Sequence, residues 1–323
     1  MTDKMPEMPK TPLAAWRRRA ALAGYLFLLP NALGFLIFTS LPVVASLVLS
    51  AFEWNLVNAP KWAGLDNFQR LLGDADFWKY VGNTVFLMMG IPLGIFLSLF
   101  LAVILNQKLR GMVFFRTLLF LPSITAGIGT MLLWMWIFNP EYGALNTFLG
   151  GIYEFLAWLP GKLGWEWSAW GEIHPEWLGD PGWSKPSLIL MGIWGSMGGF
   201  NMILYLAALQ GVSPELYEAA KIDGAGAWHR FWKITWPMVS PTTFFIFVMG
   251  IIRGFQGGFQ AAHIMTQGGP SGSTTTISYY IYNNAYVYFN MGYAASIAWF
   301  LFIIVLVLTL INWYFSQRLV HYG

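Results

Sequence analysis

The chain has no cysteine and little charge: of 323 residues none is Cys, and only 10% are Asp, Glu, Lys or Arg. Without thiols, disulfides and thiolate chemistry are excluded. A soluble globular domain carries about 25% charged residues, so this chain does not wrap one aqueous core. Lipid is the main solvent for its surface. The phosphate-cradling pattern Gly-x-x-x-x-Gly-Lys-Ser/Thr is missing. The one Gly-Lys pair, Gly161-Lys162, is followed by Leu163 and has no glycine at the earlier position. ATP is therefore not bound by that route, and no cofactor of the chain itself is expected. His174, His229, His263 and His321 are scattered without zinc-ligand spacing, so no metal site is expected. No Gly-x-Ser-x-Gly elbow supports an intramembrane enzyme. The net charge of +3 is spread over the tail and loops, which argues against a nucleic-acid partner.

Apolar and aromatic residues dominate instead, at 57% and 18%. Amphipathic aromatics collect at membrane interfaces. A crossing helix needs about 20 mostly apolar residues, and six stretches qualify: 23–51, 80–105, 114–138, 187–210, 239–262 and 293–315. This predicts an all-α membrane protein. Pro30, Pro42 and Pro92 fall inside these spans, where neighbouring helices re-satisfy freed carbonyls. Arg17, Arg18 and Arg19 precede the first run as they would in a signal peptide. That run, about 28 residues, is longer than a signal core of about 7–15, so it reads as a span. Residues 1–21 form a polar tail, partly disordered in its Pro-rich start. No internal repeat is visible.

Lys and Arg in short loops set orientation. The tail carries Lys4, Lys10 and Arg17–Arg19; the second connection carries Lys108, Arg110 and Arg116; the fourth carries Lys221, Arg230 and Lys233. These alternate correctly to share the cytoplasmic face, with both termini. The connections 139–186, rich in Glu, and 263–290, without Lys or Arg, belong outside. The first external loop weakens the pattern with Lys61, Arg70 and Lys79, set among Asp66, Asp74 and Asp76.

The connection 211–238 is the polar segment with most information. Ser213 suits an N-cap and Pro214 the first helical position. Glu215 and Glu218 favour the positive end of the helix dipole. Gly224 accepts the left-handed conformation that stops a helix. Ala227 to Ile234 then predicts a second short amphipathic helix, with Trp228, Phe231 and Trp232 at the membrane surface and Pro237 ending it. Two readings follow from the residues: an interfacial helix that merely joins spans, or a knob on which a motor protein pushes.

The same residues resemble the EAA loop of ABC importer permeases. Glu218-Ala219-Ala220, Gly224, Ile234 and Pro237 meet the pattern, with Trp236 where the family usually has Leu. Asp223-Gly224-Ala225 with Phe231, Met265 to Pro270, Ser273 to Thr276, Met291-Gly292-Tyr293-Ala294 and the ending Arg318 to Tyr322 resemble its carbohydrate-uptake branch, of maltose-F type or glycerol-phosphate type. The resemblance runs from about Leu22 to the end. It implies a type I ABC importer transmembrane domain over 22–323, a maltose-G-type second permease subunit, two cytoplasmic ATPase subunits that bind ATP and Mg, and an external solute-binding protein. It implies that Glu218, Ala219, Ala220, Asp223, Gly224 and Ala225 couple the chain to an ATPase. The implied cargo is a sugar, or alternatively an anionic polyol.

Arg253 lies well inside the fifth span, where a charge costs at least a few kcal/mol unless it meets protein or water. Gln256 and Gln260 follow at helical spacing, and Phe259 suits stacking on a sugar face. These four are the expected substrate pathway. The competing reading has Arg253 reaching the outer surface or pairing with the other permease subunit. Gly90 with Gly94, and Gly195 with Gly199, predict close helix crossings. The six tryptophans of 139–186, Trp158, Trp165, Trp167, Trp170, Trp177 and Trp183, read as an interfacial belt or as part of a docking surface for the binding protein.

Overall fold

The computed structural model describes residues 13–107, 110–125, 127–162 and 175–319. The tail before Leu13 and Trp165, Trp167 and Trp170 lie outside the described residues, as does the end beyond Leu319. Among the described residues, five helices are long and apolar enough to cross a membrane: Ala20–Leu49, Ala75–Leu105, Pro181–Gln210, Ala227–Thr266 and Met291–Tyr314. The helix pair Met112–Ile124 and Gly127–Ile137 brings the count to six when taken as one bent span.

That third span corrects the expected single crossing at 114–138. Its two helices differ in direction by 97°. Thr125 is extended and ends the first of them. Pro122 has already removed one amide from the ladder there. Hydropathy averages over such a break and does not see it.

The other spans are interrupted rather than straight. Two wide, π-helical turns, Leu36–Ser40 and Phe231–Thr235, come just before Pro42 and Pro237. A proline ring clashes with the carbonyl four residues back, and an extra residue per turn moves that carbonyl away. The fifth span consequently begins at Ala227 and continues through Pro237. The expected separate helix over Ala227 to Ile234, ended by Pro237, is instead the first part of that span.

Spans two, four and five form the centre. Ile95, Leu99, Met202, Tyr205, Val239 and Ile246 pack there as one buried cluster. The buried Tyr205 hydroxyl donates to Thr243 Oγ1 at 3.0 Å. The expected glycine pairs behave differently from each other. A side chain at Gly90 or Gly94 would press on Ile189 or Ser196 of span four, and Ser98 donates to the Ser196 carbonyl at 3.0 Å. Gly195 faces open space, and it is Gly198 and Gly199 that meet Leu119 and Ser123 of the bent span.

The first span is the outlier. From Ala20 to Leu33 every side chain described is exposed, with Phe27 at 87%. It joins the rest near its far end, where Trp299 donates to Ser46 Oγ at 3.1 Å. The two-strand hairpin Phe52–Glu53 and Lys61–Trp62 follows, then a short helix, Asp66–Gly73. Trp177 is no interfacial residue. It packs with Trp134, Phe138, Leu188 and Met265 and donates to Asn146 Oδ1 at 2.7 Å.

Candidate functional site

At one end of the spans, the helix Pro214–Ile222 stands clear of the bundle. Ser213 occupies the N-cap position but its hydroxyl makes no cap bond; Pro214 begins the helix without an amide to satisfy. The helix stops as its residues dictate. Gly224 takes φ +77°. Its amide donates to the Lys221 carbonyl at 3.0 Å, and the Ala225 amide donates to Ala220 at 2.8 Å. These paired bonds close the last turn. The Arg230 guanidinium then donates to the Ala225 carbonyl at 3.2 Å, and Tyr217 shares a hydrogen bond with Thr235 at 3.0 Å. The turn is thus fastened to the start of the fifth span. Glu218, Ala219, Asp223 and Gly224 are exposed, and Ala220 and Ala225 are half-buried. Ile222, an apolar side chain, is 87% exposed.

Halfway along the bundle, spans two, four and five enclose a cavity of about 680 Å³, within the usual range for ligand pockets of about 300–1,000 Å³. Its walls are largely Leu, Ile, Met and Gly. Arg253, Gln256, Phe259 and Gln260 all line it, with Asn201, Ser196 and Thr84. Arg253 is the one charged residue of this lining. The helical spacing expected from Gln256 to Gln260 is broken: the helix Trp236–Gln256 ends, Gly257 is extended, and Gly258 takes φ +78° before the chain turns helical again. A Cβ at Gly258 would press on Thr276. A broken helix at this depth is tolerated where it lines a cavity. Gly250 and Gly254 approach Ile91 and Met88 of span two closely enough that an added Cβ would clash. The break has a consequence for the backbone: the Phe255 and Gln256 carbonyls, free at the helix end, accept from Ser278 Oγ at 3.1 and 3.0 Å.

Ser278 belongs to a segment that the sequence reading left as a plain connection. Residues 267–276 fold back toward the cavity, and the helix Ile277–Tyr282 with its π-helical extension Asn283–Val287 runs out again. Asn83 Nδ2 donates to the Gly272 and Thr275 carbonyls at 2.8 and 3.1 Å. Thr84 Oγ1 accepts from the Ile277 amide at 3.0 Å, and Ser184 and Ser273 share a bond of 2.9 Å. Asp74 caps the helix Ala75–Met88 through the amides of Asp76 and Phe77. It also accepts from the hydroxyls of Tyr280 and Tyr293 at 2.6 and 2.5 Å. Burial alone raises its pKa, but these four donors together outweigh that and leave it below the ordinary value. Burial, and then Asp74, push Tyr280 up to about 12. The polarity of 267–276 gave the one clue to this segment, because buried threonines need internal partners.

The shape and sequence have close counterparts. A solved bacterial ABC transporter "involved in the import of the acidic polysaccharide alginate" superposes with TM-score 0.79 at 25% identity, over 95% of this chain and 100% of that one. A second structure, of the alginate transporter in complex with an alginate pentasaccharide-bound periplasmic protein, matches at TM-score 0.78 and 25% identity, over 96% of this chain and 99% of that one. A probable ABC transporter permease protein of Bacillus subtilis, YesP, is 37% identical over 94% of each chain. The lactose transport system permease protein LacF of Rhizobium radiobacter is 33% identical over 96% of this chain and 99% of that one. The sn-glycerol-3-phosphate transport system permease protein UgpA of Agrobacterium fabrum is 30% identical over 93% and 96%. The family of binding-protein-dependent transport system inner membrane components matches residues 90–321, and this multi-pass chain belongs to it.

Proposed function

We propose that the chain is a permease subunit of an ATP-driven importer, moving a sugar or oligosaccharide delivered by an external binding protein. The observation that carries this is the Pro214–Ile222 helix. Glu218-Ala219-Ala220 lies on an exposed helix, sealed by Gly224 and tied to the fifth span by Arg230 and Tyr217. A partner that grips this helix moves the span that lines the cavity. We place the helix in the cytoplasm with both termini, in the cleft of one of two ATPase subunits that bind ATP and Mg. Glu218 pairs with a basic group there. A second permease subunit completes the pathway. The switch is a rigid-body transition between two states. Likeness to LacF and to the alginate importer supports the carbohydrate cargo.

A second reading is favoured by one feature. Arg253 has no acidic residue beside it in the cavity lining, and that suits an anionic polyol such as the one named for UgpA. Uptake by the complete complex in liposomes decides between them. Under the carbohydrate reading, lactose or a longer neutral saccharide enters with ATP, and Arg253→Gln lowers uptake by less than about tenfold, as for one lost hydrogen bond to a neutral group. If only sn-glycerol 3-phosphate enters, and Arg253→Gln abolishes it, the anionic reading replaces the first. Failure of any ATPase subunit to co-purify sinks both.

A further inference from the structure

The cavity has an aromatic exit. Phe259, in its lining, stacks on His263 one turn farther along, with ring centroids 5.4 Å apart and planes 12° apart. Both face Tyr282 on the outgoing helix, at 5.1 and 5.4 Å. Tyr282 in turn meets Tyr286, one turn on, at 5.3 Å. Tyr279 backs the row from a buried position, at 6.0 Å from Phe259 and 6.3 Å from Tyr282. Two antiparallel segments, separated by the fold-back 267–276, therefore present one continuous ladder from the cavity toward the outer surface.

The ladder is not ordinary core. Phe259 and Tyr282 are half-buried, His263 is exposed, and Tyr286 is 59% exposed. Their hydroxyls differ from those of other packed tyrosines. Tyr205, Tyr217, Tyr280 and Tyr293 each bond another side chain. Among the described residues, neither Tyr282 nor Tyr286 makes a side-chain hydrogen bond, and neither does His263. A row of open ring faces edged by unused hydroxyls and an imidazole does not suit lipid tails. It suits a ligand with C–H faces and a polar rim, which is the surface of a pyranose. Negatively polarised ring faces attract such C–H groups, and the free hydroxyls then meet the rim.

We propose that Phe259, His263, Tyr282 and Tyr286 form an aromatic track that holds successive sugar units of a saccharide between the outer mouth and the cavity. The proposal rests on the carbohydrate reading above and adds to it a length dependence: short cargo fits within the cavity, whereas longer cargo must lie along the track.

The test is uptake by the complete complex, with its binding protein, in liposomes, using di- and tetrasaccharides of the gluco and xylo series. The variants are Tyr282→Leu, Tyr286→Leu, Tyr282→Phe and Tyr286→Phe. Leucine keeps bulk and removes the ring face; phenylalanine keeps the face. We expect the leucine variants to lower tetrasaccharide uptake about three- to tenfold, the scale of one aromatic contact, with little change for disaccharides and for the phenylalanine variants. Equal losses at both lengths, equal losses for Leu and Phe, or no loss overturn the track. So does a complex that imports disaccharides and never tetrasaccharides. If the wild-type complex imports no saccharide of either series, the carbohydrate reading itself has failed, and the track with it. Should Tyr282→Leu prevent assembly, Tyr286→Leu, at the exposed end of the ladder, gives the same readout.

Discussion

Two polar segments join spans of this chain, and they are built in opposite ways. From Ser213 to Ile234 no residue is buried. Between Gly268 and Asn290 the run Ser273–Ile277 is fully buried, with Gly268, Tyr279, Asn284 and Ala285. The first segment makes few bonds to the bundle, and leaves Ile222 and Trp228 in the open at 87% and 75% exposure. The second is bonded to span two by Lys79, Asn83 and Thr84, and to the start of span four by Ser184. A segment that satisfies itself so poorly is made for something absent from the chain. A segment that satisfies itself so fully is a fixed wall, against which moving parts work.

This contrast predicts that damage to the two segments separates function from folding. Glu218→Arg gives the largest functional effect. Its side chain is exposed, so stability changes by no more than about 0.5 kcal/mol. Reversing a charge that pairs across a buried contact costs at least about 2 kcal/mol of coupling. ATP-driven uptake should therefore fall more than about tenfold, while the thermal unfolding midpoint in detergent stays in place. An unchanged uptake rate removes the docking role from this helix, and the exposed segment then needs another explanation.

Gly292→Ala is the converse experiment. The wall continues into the start of span six, where the Met291 amide donates to the Trp54 carbonyl at 3.0 Å. Asn67 holds the same hairpin by donating to the Ser50 and Phe52 carbonyls at 2.9 Å each. A Cβ at Gly292 would fall 1.7 Å from the Phe52 carbonyl oxygen. Backbone on both sides must shift, at about 1–3 kcal/mol. The unfolding midpoint should drop, with uptake lost only in proportion to folded complex. A variant with wild-type stability shows that the hairpin yields, and that this end is less fixed than the hydrogen bonds imply.

The same contrast explains what was legible in the sequence. The exposed helix was readable because its meaning is local: a proline start, acidic first turn and glycine stop occupy eleven consecutive residues, 214–224. Its second half was misread because Pro237 looks like a terminator, and a π-helical turn that absorbs a proline has no sequence signature. Spans were readable from hydropathy alone, whereas the 97° bend in the third was not, since apolar runs look alike whether straight or folded. Arg253 marked the cavity because a charge at that depth demands a reason. The aromatic ladder stayed hidden because Phe259 and Tyr282 meet only after the fold-back. Likewise the bonds of Asn83 span 189 and 192 residues. The resemblance had singled out Met265 to Pro270, Ser273 to Thr276 and Gly292 without a reason. Their reason is the wall: Thr266 and Thr274 share a bond of 2.6 Å, Thr275 donates to the Gly268 carbonyl at 3.1 Å, and Gly268 sits at φ +80°.

The smallest expected effect tests whether the wall is also held by charge. Asp74 gathers two tyrosine hydroxyls and two amides from three parts of the chain. Its pKa in the folded chain lies below 3.8, and in the unfolded chain it returns to the ordinary range. Its ionised form therefore stabilises the fold fully above about pH 4, the unfolded value. That contribution fades as pH falls through the lowered folded value. Because the carboxylate is largely open to solvent, the contribution is modest. The unfolding midpoint of the wild-type chain should exceed that of Asp74→Asn at neutral pH. The gap should narrow below about pH 4, where the neutral acid and the amide bind the hydroxyls equally poorly. A gap that persists unchanged into acid means that the geometry of the cap, and not its charge, holds Tyr280 and Tyr293. A gap absent at every pH means that the wall rests on the carbonyl bonds of Asn83 and the threonines, with Asp74 contributing only the helix start.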